Sequence, residues 1–338
     1  MLINKAFASR LLADAVHLQA MKINSVASSN CYSQRMIRLF IFTLLNFLSS
    51  QLWAWDGPVI DMHFHAWPSG EDGGPQQAKN QLKTAAAKAA LKEYNVVLAA
   101  ASGPQAFIDV WADINTGQFL LGPIFPCIDG KNPTFYRHNC FNNGANLPDI
   151  EWLEEQYASG RYQIMGELYN QYAGVPFDDP RMEPFYELAQ RLEIPVAFHT
   201  HSAPPLTAAN CCPAFRVSNG NPLLLENVLV KYPRLKVQIM HANPLVYPEV
   251  LDLLAQFPKV YVDISPWQMV YTRKKFHRLL QEYVDAGMTG RIMFGSDGHS
   301  YRKSFAAYES AKFLSDRQLS GIFCTNAERF LRLSNYCD

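Results

Sequence analysis

No strand-like run in this 338-residue chain is followed by a GxGxxG or GxxxxGK[ST] loop, which removes the commonest dinucleotide and nucleotide-phosphate folds from consideration. No CxxC pair is present, so neither a zinc ribbon nor a thioredoxin-type redox motif is available. Charge of one sign is not in excess: 30 Lys and Arg face 30 Asp and Glu. Nothing therefore draws the chain to nucleic acid or to an anionic membrane. Low-complexity tracts are lacking too, and with 49% hydrophobic residues the chain can bury a large core.

That neutral balance is uneven along the chain. Residues 1–54 hold Lys5, Arg10, Lys22, Arg35 and Arg38 against Asp14 alone, which leaves a mildly acidic remainder. Arg35-Met36-Ile37-Arg38 followed by LFIFTLLNFLSSQLWA reads as a charged n-region, an apolar h-region and a small residue, Ala54, at the cleavage point. Asn46, Ser49 and Ser50 interrupt the apolar run, which is also too short for a stable membrane span. Met36 is thus the expected initiator, with 1–35 an over-extended start, 36–54 a signal peptide and 55–338 the folded, exported chain. The cysteines beyond the leader (Cys127, Cys140, Cys211, Cys212, Cys324 and Cys337) are even in number, as suits disulfides in an oxidising compartment. Cys127–Cys140 and Cys324–Cys337 are the expected pairs.

From residue 59 onward one pattern repeats. Strand-like runs fall at 59–65, 95–101, 119–125, 162–168, 195–201, 236–242, 260–265 and 291–297, apolar on both faces, as in a buried parallel sheet. Helical stretches alternate with them at 76–94, 148–159, 182–193, 223–232, 248–257, 273–287 and 317–333. The expectation is an α/β fold, a single closed (β/α)8 TIM barrel of eight parallel strands. The polar, Asn-rich connection 131–149 is expected as a lid or substrate loop over the catalytic face.

Four runs end in metal-ligand residues: VIDMHFH, PVAFHTH, VQIMHA and IMFGSD. Alternation along a strand points His63 and His65 to one face, and a barrel mouth is where His199, His201, His241 and Asp297 would join them. Imidazoles with a carboxylate and no thiolate suit Zn²⁺, with Mn²⁺, Fe²⁺ or Co²⁺ as alternatives.

DMHFHAW, GELYNQY, PVAFHTH, MHANP and FGSDGHS together resemble the amidohydrolase superfamily. The likeness is greatest to its amidohydrolase-related branch, which includes aminocarboxymuconate semialdehyde decarboxylase-like enzymes. The resemblance implies a barrel enzyme with His63, His65, His199 and Asp297 as ligands of one or two divalent metal ions. It makes His241 either an acid/base group or a ligand of a second ion. Glu167 stands where binuclear relatives carry a carboxylated lysine or a glutamate, so it either bridges two ions, orients substrate, or is a buried carboxylate paired with Arg or Tyr.

The expected activity is hydrolysis of an amide, ester or lactone in a small organic molecule by metal-activated water, with Asp297 and His241 moving protons. The alternative is a metal-dependent lyase, a decarboxylase or hydratase of an unsaturated acid, whose pocket should offer Arg to substrate carboxylates. A third reading is an inactive binding protein on the same barrel, which would have lost a ligand. Weaker substrate contacts are His201, His299 and Trp67, each also readable as packing or as a hydrogen-bond partner of a ligand. Asp61 has the same two readings. Arg137, Arg216 and Arg302 are candidates for a substrate carboxylate, while His138 and His277 are assigned no role.

Overall fold

The computed structural model of the chain describes residues 55–66, 89, 91–113, 117–133, 138–201 and 203–338. The leader and its Ala54 cleavage point, Trp67, Arg137 and most of the helix expected over 76–94 lie outside them. Ala54–Asp338 is one compact unit.

Eight strands follow in chain order: β1 (Val59–His65), β2 (Val96–Gly103), β3 (Phe119–Pro123), β4 (Met165–Leu168), β5 (Val196–His199), β6 (Val237–Met240), β7 (Val260–Asp263) and β8 (Ile292–Met293). Each falls within or overlaps an expected run, and every pairing is parallel. Nearly every strand residue is buried, which is why the runs read as continuous apolar stretches rather than alternations.

The expected single closed ladder is not what pairs them. The strands form a three-stranded sheet, β1-β2-β3, and a five-stranded one, β4-β5-β6-β7-β8. Scattered hydrogen bonds span the two seams instead: Gln163 N to Leu121 O and Tyr169 N to Phe125 O, both 2.8 Å, on one side, and Met62 N to Phe294 O and Asp297 N to His63 O, both 2.8 Å, on the other. Two glycines explain the tight approach there. A Cβ on Gly122 would lie 2.1 Å from Ile164 O, and one on Gly295 would lie 2.7 Å from the His63 Cβ. Register also shifts within the β1–β2 ladder between Asp61 and Phe64 and within the β4–β5 ladder between Met165 and Leu168, and β8 has only two residues.

Helices return the chain between strands and cover the outer faces. Asp149 accepts a hydrogen bond from Trp152 N and so starts the helix Ile150–Ala158 two residues past Pro148. The helix Arg273–Asp285 buries Phe276, Leu279, Leu280 and Tyr283. Their spacing of three and four makes one stripe, and burying each such side chain stabilises by about 1.5–3 kcal/mol. Helices over Gln105–Asp113 and Tyr301–Glu309 were not expected from the sequence. Cys127–Cys140 and Cys324–Cys337 are disulfides as expected, and Cys211 pairs with its neighbour Cys212. No helix among the described residues is long and apolar enough to cross a membrane.

Candidate metal centre

Titratable side chains gather at the C-terminal ends of the strands. β1 contributes His63 and His65 from within the strand, β4 Glu167, β5 His199 and β7 Asp263. His241 and Asp297 follow β6 and β8, each with a left-handed backbone at φ +59° and +50°. Three overlapping groups place one ligand atom per residue within 4.8 Å of one another: His63, His65 and Glu167; Glu167, His199 and His241; and His63, His241 and Asp263.

The tautomers are set from behind. His241 Nδ1–H donates to Ser265 O at 2.6 Å, so a neutral ring turns only a lone pair on Nε2 toward Glu167 Oε1, 3.5 Å away. His63 Nδ1 lies 3.3 Å from both Asp263 oxygens, and its Nε2 faces Glu167 Oε2 at 3.6 Å and Asp297 Oδ1 at 3.5 Å. That nitrogen is buried with no hydrogen-bond partner, as is His199 Nε2. His65 Nε2 approaches Asp297 Oδ1 at 3.1 Å, and His199 Nδ1 approaches Glu167 Oε1 at 2.6 Å. Ring nitrogens packed against carboxylate oxygens call for positive charge between them. A divalent cation supplies it, and imidazoles fixed by a carboxylate and a carbonyl behind them are how such ligands are held.

The protonation energetics agree. Burial pushes the Glu167 carboxyl up, but His199, His241 and His63 outweigh it and hold the group well below the usual carboxylate range. Burial likewise opposes Asp297 ionisation, and His63, His65 and His241 overcome it. Burial pulls His63 down, yet Asp263 and Asp297 raise it well above an ordinary histidine. Glu167 sits among four imidazoles, which is not the pairing with Arg or Tyr that a purely structural carboxylate would show.

A cavity of about 530 Å³ opens onto the centre. His65, Glu167, His199, His241 and Asp297 form its polar floor, and Tyr169, Tyr172, Trp267, Pro204, Pro205 and Pro266 supply much of its wall. His299 also lines it, with Nδ1 donating to Asp297 O at 2.7 Å. His201 does not line it. β5 ends at His199, and a φ of +71° at His201 breaks the alternation that would have kept the two rings together. Its ring lies 4.4 Å from that of Trp267, and Nε2 is 3.3 Å from Asn243 Nδ2. Burial first, then His241 and His199, lowers His201 to about 4.

Asp61 accepts from His63 N, Ser296 N and the Tyr301 hydroxyl. It therefore ties β1 to the loop that carries Asp297. Arg216 donates to Pro213 O and Phe215 O, and neither Arg216 nor Arg302 lines the cavity. His138 packs on Phe107, and His277 meets Ser310. None of the described residues of 131–149 lines the cavity, so the lid expected there is not part of this wall.

Sequence reasoning missed Asp263 and Tyr172. Asp263 ends VYVD just as His199 ends VAFH, so a carboxylate at a strand end was the available signal. Tyr172 stands in the same GELYNQY segment as Glu167, with no spacing to single it out.

The amidohydrolase family profile matches residues 141–333. Among solved structures, a probable 2-pyrone-4,6-dicarboxylic acid hydrolase from Acinetobacter baumannii superposes with TM-score 0.53 at 14% identity, over 81% of this chain and 99% of its own. For 5-carboxyvanillate decarboxylase from Sphingomonas paucimobilis the values are 0.53 and 12%, over 82% and 99%. For 4-oxalomesaconate hydratase from Rhodopseudomonas palustris they are 0.50 and 15%, over 81% and 95%. At these identities the likeness is one of fold. No curated protein matches the chain.

Proposed function

The chain belongs to the amidohydrolase family, and on that premise we propose that it is a hydrolase that uses divalent cations, zinc foremost, to cleave an amide, ester or lactone in a small organic molecule. The observation that carries this reading is the pair of ring nitrogens, His63 and His241 Nε2, backed by Asp263 and Ser265 and facing the Glu167 and Asp297 carboxylates. His63, His65, Glu167 and Asp297 would hold one ion. Glu167 would be shared with a second, held by His199 and His241, because two ligand groups have it in common.

Such an ion, when bound, brings water to ionise near neutral pH and draws electrons from a carbonyl oxygen. The chain's own residues supply the rest. Asp297 lines the cavity and its side chain is 19% exposed, whereas Asp263 is fully buried behind His63. Asp297 is therefore the carboxylate placed to take the proton of the attacking water and return it to the leaving nitrogen or oxygen. The aromatic and proline wall excludes solvent around the reacting carbonyl.

The alternative, decarboxylation or hydration of an unsaturated acid, draws on the rings of Tyr169, Tyr172 and Trp267, against which a planar acid would pack. It also needs a cationic group for the substrate carboxylate, and among the described residues that line the cavity there is no Arg or Lys. The three disulfides support the further proposal that the enzyme is exported. A panel of lactones, esters, amides and unsaturated dicarboxylates, assayed with zinc, tests the reading. Cleavage of a neutral ester, amide or lactone is expected; turnover confined to loss or gain of carbon dioxide or water by the unsaturated acids would overturn it.

A further inference from the structure

Beyond Glu167 the chain makes a one-turn helix, Asn170–Ala173, whose side chains are almost all committed. Asn170 Nδ2 donates to Pro176 O at 3.2 Å, and Gln171 Nε2 donates to His201 O at 3.1 Å and Arg216 O at 3.3 Å. Gly174 ends the turn at φ +67°, and a Cβ there would sit 2.6 Å from that of Ala214. The turn is thereby locked against the segment after β5.

Tyr172 is the exception in this turn. Its ring is fixed, 4.8 Å from the rings of both His199 and Tyr169 and 5.8 Å from that of Phe215. Its side chain lines the cavity beside Glu167, His199 and Asp297, and no described residue is hydrogen-bonded to its hydroxyl. On the same floor the two carboxylates can only accept, and His241 has committed Nδ1–H to Ser265. A rigid ring with an uncommitted O–H, beside the ligands rather than among them, is what a developing oxyanion requires.

We infer that Tyr172 is a catalytic residue that hydrogen-bonds the substrate carbonyl oxygen as water adds to the carbon, an inference that rests on the hydrolytic reading above. As the new C–O bond forms, the π pair moves onto that oxygen. The phenol keeps its proton and shares it with the oxygen through a hydrogen bond. When the carbonyl re-forms and the bond to the leaving group breaks, the hydrogen bond weakens again.

The test is calorimetric titration of benzohydroxamate, a zinc chelator with a carbonyl oxygen, into zinc-loaded wild-type chain and Tyr172→Phe, with zinc content and melting followed in both. Phenylalanine keeps every ring contact, so zinc and melting should be unchanged while Kd rises about tenfold or more. On any ester the wild type cleaves, kcat should fall about 100-fold with KM nearly constant. Equal hydroxamate affinity in the two proteins would overturn the inference and leave the metal centre standing. Failure of the zinc-loaded wild type to bind hydroxamate would overturn the metal reading and this inference with it. If Tyr172→Phe does not fold, Tyr172→Met repeats the titration with the same two outcomes.

Discussion

In the three-stranded sheet, His63 and His65 stand inside an extended strand and reach one face by alternation alone. In the five-stranded sheet, His241 and Asp297 stand past their strand ends with left-handed backbones. A non-glycine residue in that region costs of order 1–3 kcal/mol and persists only where its surroundings hold it. Here they do: Asp297 N donates to His63 O at 2.8 Å, and the Trp267 indole N–H donates to His241 O at 2.9 Å. The first pair is aimed by its place in a strand, the second by specific hydrogen bonds past the strand ends. The second set is therefore the more sensitive to what lies behind it.

Glu167 is where the two sets meet, so its loss should have the largest effect. Glu167→Gln is expected to lower turnover by at least about 10³-fold and to reduce bound metal, read by metal analysis beside kinetics. Asp297→Asn keeps the shape of the side chain and should cost about 10²–10⁴-fold in kcat with little change in melting. Full activity would remove Asp297 from its role. Asp263→Asn changes the carboxylate behind His63 and should weaken metal binding about 10–100-fold. A loss as large as that of Glu167→Gln would show that Asp263 is itself a ligand.

Changing pH separates the chain's own electrostatics from those of the ion. In the metal-free chain the folded pKa of His63 lies above the ordinary value of 6.5. The stability its protonated ring contributes is full below that value and is lost as pH rises through the raised one. A bound cation requires the neutral ring, so stabilisation by zinc should grow over the same interval. Melting with and without zinc, from about pH 6 to about pH 9, should show a widening gap; a constant gap would contradict the account. The smallest effect belongs to His201. His201→Gln should leave activity within about threefold and lower stability by about 1 kcal/mol, because its contacts are Trp267 and Asn243.

The strands were legible because burial on both faces leaves a continuous apolar signature, and His63 and His65 because they stand two apart in one strand. His201 was not, since period-two reasoning fails where the backbone turns left-handed, and no residue type announces that turn. Asp263 was hidden among ordinary strand residues, and its part depends on His63, 200 residues away. The close approaches at Gly122 and Gly295, across the seams between β3 and β4 and between β8 and β1, emerge only when the strands are set side by side.

Metal analysis of the purified chain, before and after chelation, tests the central claim most directly. The account predicts two divalent ions per chain, lost with activity on chelation and restored with it by zinc. A metal-free chain that remains folded and active would contradict it.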